Sequence, residues 1–335
     1  MEDKVFVLFA CNIPVRGALR STICDLQRGE YYLISNDLYD MLTLHKGKTV
    51  KEIKSLYKNH TSAEIEAGFT YLLENELGFW VDEDPGNFPD IDMHFERPER
   101  INNAIVDIDE SSQHDFERIF AQLDDLACKA LELRFYTPLS HAQLGQILEP
   151  TLYGRLRSIQ IVIKFDQGLV VEELERLCAK HKRISDILIH SAPQNKTIET
   201  PTWNIIFFQQ KLESSAACGQ VHPGYFSINL GTFSEAQSFN TCLNKKVGID
   251  VHGNIKNCPS SQKSYGHIKT TKVLDAISQP GFQDLWKIHK DQIKVCKDCE
   301  FRYICTDCRV YLTDNDDILS KPGKCRYNPY TGEWE

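Results

Sequence analysis

The sequence predicts an α/β protein with α+β ends, in which a partial parallel βα barrel stands between a small N-terminal winged-helix unit and an irregular, cysteine-rich C-terminal domain. Three observations carry this. Strand signals, then amphipathic helices, then a closing strand follow one another over residues 1–84, and apolar strand runs recur at a fixed interval over 100–210. From Ala216 onward periodicity fades and cysteines take over: eight of the twelve lie at or after Cys218.

In the first segment, "VFVLFA" (5–10), "STICDL" (21–26) and "YYLIS" (31–35) read as strands, the last two joined by the hairpin signal "QRGE". "SNDLYDMLTL" opens a helix with Ser35 or Asn36 as N-cap, and "TVKEIKSLYKNH" and "TSAEIEAGFTYLLENEL" follow with apolar residues three and four apart. Thr61 and Glu64 have the spacing of a capping box. "GFWVDED" reads as a closing strand, and "DEDPGNFPDID" (82–92) as a linker.

The middle segment, 100–215, repeats. Apolar runs begin at Ala104, Leu131, Ser158 and Ser185, each 27 positions after the last, with helical segments between them. Strand–helix repeats of this length are βα units, which build a parallel sheet or part of a barrel. "WNIIFFQQ" (203–210) adds a fifth strand. Five units are too few to close an eight-stranded barrel. Asp107, Asp109, Glu110, His114 and His190 are its titratable candidates, and they form no catalytic pattern; carboxylates in such loops are usually solvated.

The third segment, 216–335, offers one further strand ("YFSINL") and one helix ("PGFQDLWKIHKDQI"). So little apolar core requires cross-links or metals. The run "VCKDCEFRYICTDCRVY" places Cys296, Cys299, Cys305 and Cys308 within thirteen positions, and Cys325 follows. Upstream, Cys242, Gly253 and Cys258 are spaced C-x10-G-x4-C. In C-x2-C two thiolates grip one centre from a tight turn, and thiolate sulfur suits iron–sulfur clusters. Zinc is the alternative, although zinc ribbons usually separate their pairs by more than the five residues found here. Cys11, Cys24, Cys128 and Cys178 sit in or beside apolar segments and read as plain buried thiols.

A net charge of −9 argues against a nucleic-acid binder, and the basic residues scattered over 16–54 read as a solvated face. No apolar run approaches the roughly 18–20 residues of a membrane span. The N-terminal apolar run has only six residues and no cleavage pattern, so the expected compartment is the cytoplasm.

The whole cysteine pattern, with "VGIDVHGNIKNCP" as its hairpin, resembles the SPASM domain of peptide-modifying enzymes, which carries auxiliary four-iron, four-sulfur clusters. With "IPVRGALRSTICDLQRGEYYLISNDLYDML" at one end and "CEFRYICTDCRVY…KPGKCRYNP" at the other, nearly the whole chain resembles the SPASM-domain peptide maturases of grasp-with-spasm systems. The resemblance implies two 4Fe-4S clusters, the first held by Cys218, Cys242, Cys258 and Cys308, the second by Cys296, Cys299, Cys305 and Cys325. Cys218 is placed in the first set as the only nearby thiol, with His222 and His252 as fallbacks. It implies a radical SAM-like barrel that has lost its C-x3-C-x2-C loop: residues 107–118, "DIDESSQHDFER", contain no cysteine, so neither S-adenosylmethionine nor radical SAM chemistry is expected.

The resemblance also implies partners: a ribosomally synthesised precursor peptide and an ATP-grasp ligase. The N-terminal unit resembles the PqqD-like element that grips leader peptides. An extended leader would add to the edge strand bearing Tyr31 and Leu33, with Phe69 and Leu72 as groove residues. The expectation is a recognition or accessory subunit rather than a catalyst, acting on neither nucleic acid nor membrane. A redox enzyme modifying the peptide through an auxiliary cluster, or a zinc-stabilised scaffold, are the alternatives.

Overall fold

A computed structural model describes residues 2–82, 86 and 88–335, so part of the linker expected at 82–92 lies outside the described residues. The chain gathers into two compact units: Met1–Glu96 with Val221–Thr241 and Ile288–Glu335, and Arg97–Gln220 with Cys242–Lys287. The cysteine-rich segment 216–335 thus contributes to both.

The first unit opens with β1 (Val5–Leu8), β2 (Asn12–Arg16), β3 (Ser21–Asp25) and β4 (Glu30–Ile34). Three helices follow, α1 (Asn36–Thr43), α2 (Val50–Leu56) and α3 (Ser62–Glu74), then β5 (Gly78–Val81). β2, β3 and β4 form an antiparallel meander in that order, and β1 pairs with β5. The helix starts are set locally. Ser35 accepts from Leu38 N, and Thr49 with Glu52 and Thr61 with Glu64 form complete capping boxes.

The helices cover one face of the meander, where Ile23, Ile34, Leu38, Phe69 and Leu72 share a core with Phe6. On its other side Val15, Cys24 and Leu26 pack against Phe233, Phe301, Ile304 and Tyr327 from the later segments. Two expected elements differ. "YFSINL" is no strand: Phe226 packs into this core, and Asn229 caps a helix, Leu230–Ala236, by accepting from Thr232 N. The helix expected over 280–293 is replaced by 3-10 turns at Asp284–Lys287 and Lys290–Gln292, because His289 takes an extended backbone that interrupts it.

The second unit is built on β6 (Asn103–Ile108), α4 (Phe116–Asp125), β7 (Ala130–Phe135), α5 (His141–Leu148), β8 (Ser158–Lys164), α6 (Val171–Lys180) and β9 (Ile184–His190). β10 (Lys196–Glu199), β11 (Asn204–Phe207), β12 (Lys246–Ile249) and β13 (Ile255–Lys256) complete an eight-stranded sheet in the order β10-β11-β9-β8-β7-β6-β12-β13. From β11 to β12 neighbouring strands are parallel; β10 and β13 are antiparallel edges. The repeated βα units are therefore as expected, whereas β10 and the attachment of β12 beside β6 carry no periodic signal.

Strand alternation sorts the two faces. Leu131, Leu133, Phe135, Ile159, Ile161, Ile187 and Ile189 are buried, as are Ile119, Leu123, Leu144, Leu148 and Leu174 of the helices. The opposite positions carry Asp107, Glu132, Arg134, Gln160 and Asp186 in adjoining register. No helix among the described residues is long and apolar enough to cross a membrane.

Candidate metal centres

The expected second set of cysteines gathers within the first unit. Cys296 begins a 3-10 turn whose end is closed by Cys299 N–H donating to Cys296 O at 3.0 Å, so the C-x2-C pair is held by one tight turn. Cys305 N–H donates to Phe301 O at 3.0 Å and Cys325 N–H to Pro322 O at 3.0 Å. Beside these sulfurs lies Lys290, only 4% exposed, with Nζ 3.7 Å from Cys305 Sγ. Burial opposes its charge, yet Cys305, Cys296, Asp307 and Cys299 outweigh burial and hold the ammonium. Burial pushes the Cys305 thiol up to about 11, against the pull of Lys290, and both Cys296 and Cys305 feel Cys325. All four members of the set therefore share one electrostatic neighbourhood.

Three members of the expected first set gather in the second unit. Cys242 precedes β12, Cys258 follows β13, and Cys218 follows a 3-10 turn at Ser215–Ala217. The β12–β13 hairpin turns at Gly253, whose φ of +85° suits a residue without Cβ. Asn257 braces it, donating from Nδ2 to Leu243 O at 3.0 Å and Lys246 O at 2.8 Å. Lys246 Nζ stands 3.5 Å from Cys242 Sγ. Burial again opposes its charge, and Cys242, Cys258 and Cys218 outweigh it. The Cys258 thiol is raised by burial, with Lys246 and Arg134 pulling the other way.

Cys308, the remaining member, belongs to the first unit, where it accepts from Tyr311 N–H at 3.5 Å. His222 is engaged locally, its Nδ1 accepting from Gly224 N–H at 3.1 Å, and the carbonyl of His252 takes His267 Nε2 at 2.8 Å. Cys24, Cys128 and Cys178 are buried thiols as expected, whereas Cys11 is only half-buried. Burial raises Cys24 and Cys128 to about 12.

The donor set suits a sulfur-ligated iron centre: soft thiols in quantity, an ammonium against one sulfur of each group, and no competing carboxylate ligand in the expected sets. Among the described residues, no three His, Cys, Asp or Glu side chains are grouped so as to hold a metal ion.

Sequence reasoning missed the basic residues. Nothing in the spacing of Lys246 and Lys290 marks them in the sequence. Arg309, 3% exposed, places Nε 3.0 Å from Asp307 Oδ1. Arg134 places Nε 2.6 Å from Asp107 Oδ1, and the pair is buried at 7% and 2% exposure. Asp107 is thus not solvated, because parallel register sets it directly opposite Arg134. His190 is also buried, with Nε2 3.2 Å from Phe135 O.

Of the expected peptide-binding residues, Tyr31 and Leu33 lie on β4, which among the described residues pairs only with β3. Leu33 is 40% exposed, while Tyr31 packs edge-on against Phe226 and Phe301 at centroid distances of 5.9 and 5.3 Å. Phe69 and Leu72 require correction: at 1% and 0% exposure they are sealed in the helix core and present no surface to a ligand.

No family model matches the chain, and no curated protein matches it. Solved structures similar to it include Streptococcus suis SuiB bound to S-adenosylmethionine, at 12% identity over 92% of this chain and 95% of that one, with a TM-score of 0.35. SuiB bound to precursor peptide SuiA is similar at 11% identity over 96% and 98% of the two chains, with a TM-score of 0.37. The expectation that S-adenosylmethionine has no place here is overturned by the first of these, a neighbour crystallised with that molecule.

Proposed function

We propose that the chain is an iron–sulfur-binding maturation protein for a ribosomally synthesised peptide, recognising the precursor's leader and acting with an ATP-grasp ligase. One observation supports the metal part: each expected set has a lysine ammonium at a sulfur, 3.7 Å from Cys305 and 3.5 Å from Cys242. Cys296, Cys299, Cys305 and Cys325 would hold one cluster; Cys218, Cys242 and Cys258 would contribute to the other. Such clusters, when bound, supply electron transfer or structural bracing.

The peptide part is supported by the outer edge of β4, on which no strand pairs among the described residues. An added strand gains backbone hydrogen bonds there, and exposed side chains such as Leu33 confer choice. The ligase partner follows from the resemblance of the whole chain to grasp-with-spasm maturases.

The test is anaerobic purification with metal and sulfide analysis. The reading expects a brown protein with about eight irons and about eight acid-labile sulfides per chain, as two four-iron clusters require. Stoichiometric zinc from iron-replete, anaerobic cultures would overturn it. For the peptide part, fluorescence anisotropy should show saturable binding of the precursor's leader; binding only to the core half would contradict leader recognition.

A further inference from the structure

The two cysteine gatherings share a feature that their spacing does not encode. Each has a lysine whose ammonium contacts a sulfur, and an arginine tied through Nε to a buried aspartate: Lys246 with Arg134 and Asp107, Lys290 with Arg309 and Asp307. The sets occur in different units, on unrelated local structure: adjoining parallel strands in one, a 3-10 turn and a loop in the other.

Charge and hydrogen bonding both leave something over. Around Lys290, Asp307 already accepts from Arg309 Nε at 3.0 Å and from Asn240 Nδ2 at 2.7 Å, and lies 3.9 Å from Lys290 Nζ. Two cations against that one carboxylate leave one positive charge, placed at the sulfurs. Lys246 makes no ion pair with a carboxylate among the described residues; Glu132 is in its field, and its ammonium lies 3.5 Å from Cys242 Sγ. Arg309 is held by Asp307, its Nη2 2.7 Å from Oδ1, whereas Arg134 Nη2 is buried with no hydrogen-bond acceptor among the described residues. A buried cation or N–H without a partner costs free energy. That cost is offset if an anionic, sulfur-rich group accepts from them.

We propose that Lys246 and Lys290 are the counter-ions and N–H···S donors of the two sulfur centres, with Arg134 and Arg309 as further positive charge around them, stabilising the more negative oxidation state of whatever cluster each holds. The inference rests on the iron–sulfur reading above. Hydrogen bonds and net charge around the sulfurs are established means of setting cluster potentials. Removing a cation beside a cluster disfavours adding an electron, so the reduction potential falls.

The experiment uses the full chain, reconstituted anaerobically with iron and sulfide, and spectroelectrochemical titration read by EPR. Lys290→Gln and Arg309→Gln should lower the potential of one centre. Lys246→Gln and Arg134→Gln should lower that of the other, each by about tenfold in the reduction equilibrium, about 59 mV for one electron. Lys290→Arg should stay near the parent value. A Gln variant that loses its centre's iron while the matching Lys→Arg protein keeps it meets the same charge requirement. Iron-replete Gln variants with both potentials unmoved would overturn the proposal, as would iron loss from Gln and Arg variants alike, which marks packing rather than charge. Absence of iron from the parent protein would instead sink the iron–sulfur reading itself.

Discussion

Glu300 ties the C-x5-C loop to the N-terminal meander. Its buried carboxylate accepts from Arg20 Nε at 2.9 Å and from the Tyr327 hydroxyl, and its carbonyl accepts from Thr22 Oγ1 at 2.9 Å. Gly17 allows the approach, since a Cβ there would stand 2.9 Å from Glu300 N and 2.5 Å from Arg20 O. Glu300→Ala leaves the Tyr327 hydroxyl and Arg20 Nε without their acceptor, while Arg20 Nη2 keeps the Tyr327 hydroxyl at 3.1 Å and Gly332 O at 3.2 Å. Arg20 is 31% exposed, so water compensates part of the loss, and the expected cost is about 2–3 kcal/mol, below that of breaking a fully buried pair. Anaerobic urea unfolding measures it; a change within about 0.5 kcal/mol, typical of a neutral surface site, would contradict the bracing role. None of this was legible beforehand, because Arg20 and Glu300 are 280 positions apart. By contrast the Thr61–Glu64 capping box was readable from four adjacent residues. The cysteine spacing likewise carries the expectation of a metal, but not the lysines beside Cys242 and Cys305.

Elements were legible where apolar runs recur along the chain. The 27-residue recurrence at Ala104, Leu131, Ser158 and Ser185 matched β6 to β9 because each strand alternates with a covering helix. "YFSINL" failed since its apolar residues mark a turn and a helix start, with Phe226 anchored among aromatics. β10 was missed because its side chains are mostly exposed and give no apolar run. At this scale two expectations separate recognition from packing. Leu33→Pro removes a backbone N–H from the β4 edge, so leader binding should weaken at least tenfold in a protein whose circular dichroism is unchanged. Phe69→Ala should cost about 3–5 kcal/mol of stability and leave leader affinity in the folded fraction as it was. A selective loss of affinity in Phe69→Ala, with stability retained, would restore it to the groove.

At the scale of the molecule, the cysteine-rich tail is not a separate appendage. Its 288–335 portion completes the core of the first unit, and its 242–287 portion extends the sheet of the second. A fragment ending at residue 84 would expose Val15, Cys24 and Leu26, so it is expected to unfold without the cooperativity of the full chain. The central claim is that two independent sulfur centres exist, one per unit, and it is tested most directly by iron and sulfide counts on Cys258→Ala and Cys305→Ala, purified anaerobically beside the parent. The account expects each variant to lose about half the iron and sulfide, each with a different EPR signal missing, and the double variant to be colourless. Parent-level iron in both single variants, or complete loss in either one, would contradict two separate centres.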